Sequence, residues 1–110
     1  MNVGRTDTAR DFIDARDGVR AMMILLEKGR PGEPVNICTG RSYTIKETID
    51  LLIKISGLDV TVNSDKSLYR ATDEPVLIGD TSKLRALGFL PEFNFEQTLE
   101  AVYNNWLDRV

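Results

Sequence analysis

Apolar residues in this chain recur at helical steps in three stretches, with short apolar runs between them. From Ala15 to Lys28, Val19, Met22, Met23 and Leu26 keep three- and four-residue spacing, and Ile24 and Leu25 widen the stripe. The spacing predicts a helix opened by Asp14 as N-cap, with Asp17 also read as capping its start, and closed by Gly29 with Pro31 beyond. A stripe this wide predicts burial on more than one side. Thr44 and Glu47 form a capping box, so a second helix should run from Ile45 to about Ser56, with Ile45, Ile49, Leu52 and Ile53 on one face and Gly57 as its stop. Asn94, with Gln97 three residues on, starts a last helix whose Phe95, Leu99, Val102, Tyr103 and Trp106 read as core positions. Asp80 is expected to cap a shorter helix holding Leu84 and Leu87 and ended by Gly88.

Four short runs read as strands: Arg10–Ile13, Val35–Cys38, Val60–Val62 and Val76–Ile78. The second and the fourth are of the buried type. Between Asn63 and Pro75 the chain is polar apart from Leu68 and Tyr69, which is long for a loop without regular structure. Residues 1–9 are polar and read as a frayed end. These elements predict an α/β chain of about four helices and a few short strands, forming one domain over residues 1–110.

Composition removes several function classes. The chain is 42% hydrophobic and 28% charged, ordinary for a folded protein, with 14 basic against 17 acidic side chains and a net charge of −3. No basic patch points to nucleic acid, and no apolar run approaches the ~20 residues that span a bilayer. The N-terminus lacks an apolar signal core, so a cytoplasmic location is expected. Cys38, the one cysteine, has no partner for an internal disulfide and reads as a small core residue. There is no histidine, which removes the usual general base, the usual zinc ligand and a Ser-His-Asp triad together. Neither the dinucleotide nor the Walker glycine pattern occurs, and no Tyr is followed by Lys four residues on. The residues carry no convincing catalytic set.

What remains is the stretch from Tyr69 to Thr81. Arg70 and Asp73 stand three residues apart ahead of Pro75 and the apolar run Val76–Ile78. A guanidinium suits a phosphate because its planar fork of donors meets two oxygens at once. An ionised carboxylate only accepts hydrogen bonds, which suits ribose hydroxyls. The bland alternative is a solvated loop whose charges do nothing.

Three blocks in order, Arg10-Asp-Phe-Ile-Asp-Ala-Arg-Asp17, Pro31-Gly-Glu-Pro-Val-Asn-Ile-Cys-Thr-Gly40 and Arg70-Ala-Thr-Asp-Glu-Pro-Val-Leu-Ile-Gly-Asp80, resemble the C-terminal third of extended short-chain dehydrogenase/reductases, the NAD-dependent epimerase/dehydratase family. Within it the chain is most similar to GDP-mannose 4,6-dehydratases and GDP-4-keto-6-deoxymannose reductases. The resemblance implies the substrate-binding portion of such an enzyme without its Rossmann half. It implies a nucleotide-diphosphate sugar, a GDP-sugar first, as ligand, and NAD(P) as cofactor of the full-length parent but none in this portion. By the same resemblance Arg10 and Arg70 would clamp the diphosphate and Asp73 would hold the ribose. Ala71 stands where the family usually has Pro, and Glu74 where it commonly has an apolar residue.

The competing reading is an interaction or oligomerisation module with no small ligand. Under either reading, the Val35–Cys38 strand should lack the sheet it joins in the family, which leads us to expect homo-oligomers.

Overall fold

Helix boundaries in the computed structural model, which describes residues 1–110, follow the local capping chemistry closely. In chain order the helices are α1 (Ala15–Lys28), α2 (Ile45–Ser56), α3 (Ser82–Ala86) and α4 (Phe95–Leu107). Asp14 caps α1 by accepting from the Arg16 N–H, while Thr44 with Glu47, and Asn94 with Gln97, close reciprocal capping boxes on α2 and α4. Gly57 ends α2 in the left-handed region at φ 65°, where a side chain would be strained.

Five two-residue strands join the helices: β1 (Asn2–Val3), β2 (Ala9–Arg10), β3 (Tyr43–Thr44), β4 (Asn63–Ser64) and β5 (Val76–Leu77). β1 pairs in parallel with β4, and β2 sits between antiparallel β3 and parallel β5. A 3-10 turn covers Lys66–Leu68. The core has two parts. Ala21, Leu84 and Phe89 are buried together, with Ile13, Ile24, Leu25, Val35 and Ile37 packed against them. Around α4, Phe95 stacks with both Phe12 and Tyr43 at centroid distances of 5.3 and 4.1 Å.

The outline is a slab of 47 × 36 × 20 Å with a radius of gyration of 16.4 Å, against roughly 13 Å for a compact domain of this length. Only 10 of 110 residues are buried. Several expectations of burial fail for this reason. Val76, Leu77 and Ile78 are at least half exposed, not a buried strand. Val35–Cys38 is no strand at all: no backbone hydrogen bond reaches these residues, and only Cys38 is buried. A strand needs a neighbour for its ladder, and none lies beside this segment. The α1 stripe is buried on one side only, leaving Val19, Met22, Met23 and Leu26 open, and on α4 Val102 and Trp106 are exposed as well.

Other corrections are local. Residues 1–9 are no frayed end, since β1 is paired and Thr8 and Ala9 are buried. Strand structure stops at Arg10 instead of Ile13, and Val60–Val62 gives way to Asn63–Ser64. Asp80 accepts from the Ser82 N–H, but the N-cap position of α3 is Thr81, which makes no side-chain capping bond. Asp17 is not a cap. It is 1% exposed and accepts from the Glu92 and Phe93 N–H groups at 3.1 and 3.2 Å, tying α1 to the entrance of α4.

Candidate functional site

Asp11 organises one end of the slab. Its Oδ1 accepts from Thr39 N–H at 2.9 Å and from Thr39 Oγ1 at 2.6 Å, and its Oδ2 accepts from Gly40 N–H at 2.9 Å and Gly79 N–H at 3.1 Å. One carboxylate thereby joins the segment after β2, the turn before β3 and the segment after β5. Burial works against its charge, but the bonds from Thr39, Gly79 and Gly40 outweigh that and hold the carboxyl below the usual carboxylate range. Cys38 lies in the same cluster, where burial first and the Asp11 charge second push its thiol up, consistent with a packing role.

Next to Asp11, Arg10 is held against the polar loop. In β2 it stands opposite Leu77 of β5, and its Nη1 donates to the Ala9 and Glu74 carbonyls, each at 2.8 Å. Its Nε and Nη2 form no hydrogen bond within the chain. Arg70 and Asp73 lie on the same loop, in a turn closed from both sides: the Arg70 N–H donates to Asp73 Oδ2, and the Asp73 N–H donates to the Arg70 carbonyl, both at 3.3 Å. The Arg70 guanidinium is exposed and unpaired, while Asp73 is half-buried. Arg10 and Arg70 are thus brought to one loop without contacting each other through a hydrogen bond.

The long stretch from Asn63 to Pro75 is not loose. It is laced to residues 1–10 along its length: β1 pairs with β4, Ser64 Oγ bonds the Gly4 carbonyl at 3.0 Å, and Ala9 N–H donates to the Pro75 carbonyl at 2.8 Å. The same lacing brings in a residue that sequence reasoning missed. Arg5 pairs with Asp7 at 2.9 Å and lies 5.7 Å from the Tyr69 ring centroid. The Asp7 hydrogen bond chiefly raises its pKa, and the Tyr69 ring sets Arg5 against the start of the loop that carries Arg70 and Asp73. No local signal marks it, because Arg5 and Tyr69 are distant in the sequence and meet only in the folded chain.

Chemically, this end offers two guanidinium groups with donors to spare, a third committed to Asp7, and the carboxylates of Asp73 and Glu74 as acceptors. That suits gripping an anion and a hydroxyl pair. It offers no nucleophile–base pair, and no cluster of three or more His, Cys, Asp or Glu is placed to hold a metal. No helix is long and apolar enough to cross a membrane.

Residues 1–102 match the family described as GDP-mannose 4,6 dehydratase. GDP-6-deoxy-D-mannose reductase of Pseudomonas aeruginosa is 32% identical, covering 100% of this chain and 36% of the reductase. GDP-6-deoxy-D-talose 4-dehydrogenase of Aggregatibacter actinomycetemcomitans is 34% identical over 97% of this chain and 37% of its own length. Among solved structures, RMD from Pseudomonas aeruginosa complexed with NADPH superposes with a TM-score of 0.92 at 32% identity, over 100% of this chain and 36% of that one. The UDP-glucose 4-epimerase of Thermotoga maritima with UDP-glucose gives 0.91 at 28% identity, over 99% of this chain and 35% of that one. The chain therefore spans about a third of the length of the relatives it matches.

Proposed function

The chain belongs to the GDP-mannose 4,6-dehydratase family, and from that premise we propose that it is the nucleotide-diphosphate-sugar-binding part of an NAD(P)-dependent sugar-nucleotide dehydratase or reductase. Arg10 and Arg70 grip the diphosphate, Asp73 accepts from the ribose hydroxyls, and a GDP-sugar is the ligand. The observation that carries the reading is the anchoring of the Arg10 guanidinium to Glu74, inside the loop that holds Arg70 and Asp73. With Nη1 fixed on two carbonyls, the remaining edge of Arg10 keeps its direction, so less side-chain freedom is lost when an anion arrives.

The dinucleotide does not fit these 110 residues. Each of the four glycines at positive φ, Gly32, Gly40, Gly57 and Gly88, stands alone, and none opens a helix as a phosphate-cradling turn does. The reading therefore gives this chain substrate binding alone. The exposed side of α1 and the unpaired residues 35–38 form the seat of the enzyme's Rossmann part. A second reading, a homo-oligomerisation module, draws on the same open α1 face.

Calorimetry with GDP-mannose tests the first reading. Weak binding is expected, reduced about tenfold or more in Arg70→Ala and again in Arg10→Ala, as the loss of one charge-assisted hydrogen bond implies. Asp73→Asn should narrow the preference for GDP over 2′-deoxy-GDP. Equal affinity in wild type and both arginine variants, or no binding by any of them at millimolar ligand, refutes it.

A further inference from the structure

A second cavity lies beside the N-terminus of α4, with a volume of about 320 Å³. None of Arg10, Arg70 and Asp73 lines it. One wall is aromatic, made by the stacked rings of Phe12, Phe95 and Tyr43. Arg41 and Arg85 line it too, both exposed and neither guanidinium paired within the chain.

The balance of charge and hydrogen-bonding capacity in this cavity is one-sided. Its two carboxylates are already matched, Asp14 by Arg16 at 2.9 Å and Glu92 by Arg20 at 3.4 Å. The side-chain oxygens of Asn94 and Gln97 are committed to the α4 capping box, accepting from each other's N–H groups at 2.8 and 2.9 Å. That leaves their NH₂ groups as donors. The positive end of α4 has the same sign. Two unpaired guanidinium groups and two amide donors around a ring-lined space call for an anion with several oxygens attached to a flat group.

We propose that this cavity is a second ligand site, taking a single aromatic ring that carries a phosphate. The volume suits such a small ligand, at the lower end of small-molecule pockets. The ring stacks on the Phe12–Phe95–Tyr43 wall, and Arg41 and Arg85 meet the phosphate oxygens. The site is independent of the sugar-nucleotide reading, because the two share no residue.

Phenyl phosphate is the probe, titrated into the 110-residue chain and followed by ¹H–¹⁵N NMR, with phenol and inorganic phosphate titrated separately. The Asn94 and Gln97 side-chain amides should shift with phenyl phosphate, and each comparator should bind at least about tenfold more weakly. Arg41→Ala with Arg85→Ala should weaken phenyl phosphate about tenfold or more, while Arg70→Ala leaves it unchanged. Both arginines are exposed, and an unchanged far-UV spectrum confirms that the double variant is folded. Shifts that are absent or map elsewhere, equal binding of phenol or inorganic phosphate, or an unaffected double variant overturns the proposal. Loss of binding in Arg70→Ala does so as well.

Discussion

Replacing Asp11 is the sharpest test of how this end is held together. A hydrogen bond to a charged group contributes about 1.5–3 kcal/mol, and Asp11 accepts four on two oxygens in a half-exposed setting. Shared oxygens and partial exposure keep the sum well below four times that figure. Asp11→Ala should cost about 3–5 kcal/mol, a large share of the 5–15 kcal/mol typical of a domain, so the milder Asp11→Asn is the variant to measure. Asparagine keeps one acceptor oxygen but turns an NH₂ toward two N–H donors, Gly40 and Gly79, or toward the Thr39 pair. We expect a loss of about 2–3 kcal/mol, which for a chain of this length is a fall in Tm of roughly 8–12 °C. Thr39→Val alone should cost about 1 kcal/mol. The double variant should cost less than the sum, because Thr39 Oγ1 has already lost its charged partner. Thermal and urea unfolding followed by circular dichroism give all three values. If Asp11→Asn unfolds within about 2 °C of wild type, or if the two substitutions simply add, the carboxylate does not organise this end as described.

Three further outcomes follow from the same geometry. Asp14 is held far below the usual carboxylate range, by the Arg16 hydrogen bonds first and Thr98 after, and Asp11 is lowered too. Lowered folded-state values mean stability that is present above the unfolded carboxylate pKa of about 3.9 and lost as pH falls through the folded values. Urea midpoints should therefore drop below about pH 5, and Asp14→Asn should flatten that acid limb; an unchanged limb counts against the assignment. A Cβ on Gly79 would stand 2.4 Å from both Cβ and Sγ of Cys38, so Gly79→Ala should cost on the order of 1–3 kcal/mol. Adding Cys38→Ala should restore little, since the Cβ clash persists, and full recovery in that double variant would contradict it. Met22→Lys with Leu26→Lys should lower self-association in light scattering without lowering Tm, because the two side chains are 56% and 82% exposed. Wild type that stays monomeric at high concentration would remove the basis for that expectation.

The helices were legible because their signals are local. Asp14, Thr44 with Glu47, and Asn94 with Gln97 each satisfy backbone donors within four residues, and α1 and α2 begin and end where those residues and Gly29 and Gly57 dictate. Strands and burial were less legible. Val35–Cys38 and Val76–Ile78 have the composition of sheet interior, yet the first finds no partner for a ladder, and the second, although Val76 and Leu77 pair with β2, has no layer covering it. Of the candidate site, Arg70 and Asp73 could be picked out on one loop, and the family resemblance added Arg10. The roles of Asp11 and Arg5 were not visible. Asp11 reaches partners 28, 29 and 68 positions away, and no short-range pattern encodes such a junction. Its one hint is a carboxylate just ahead of Phe12-Ile13 with no helix start of its own to cap.

The bond from Arg10 to Glu74 spans 64 positions of chain. Contacts of that separation return nothing until a long closure has been made, so they belong to the late stage of folding. The helical turns around α2 and α4 can form early, whereas the anion-gripping end assembles only after that closure. Amide exchange at residues 63–77 should then be faster than in α2 and α4, and a ligand held there should slow it across both the leading ten residues and that distant loop in the same step.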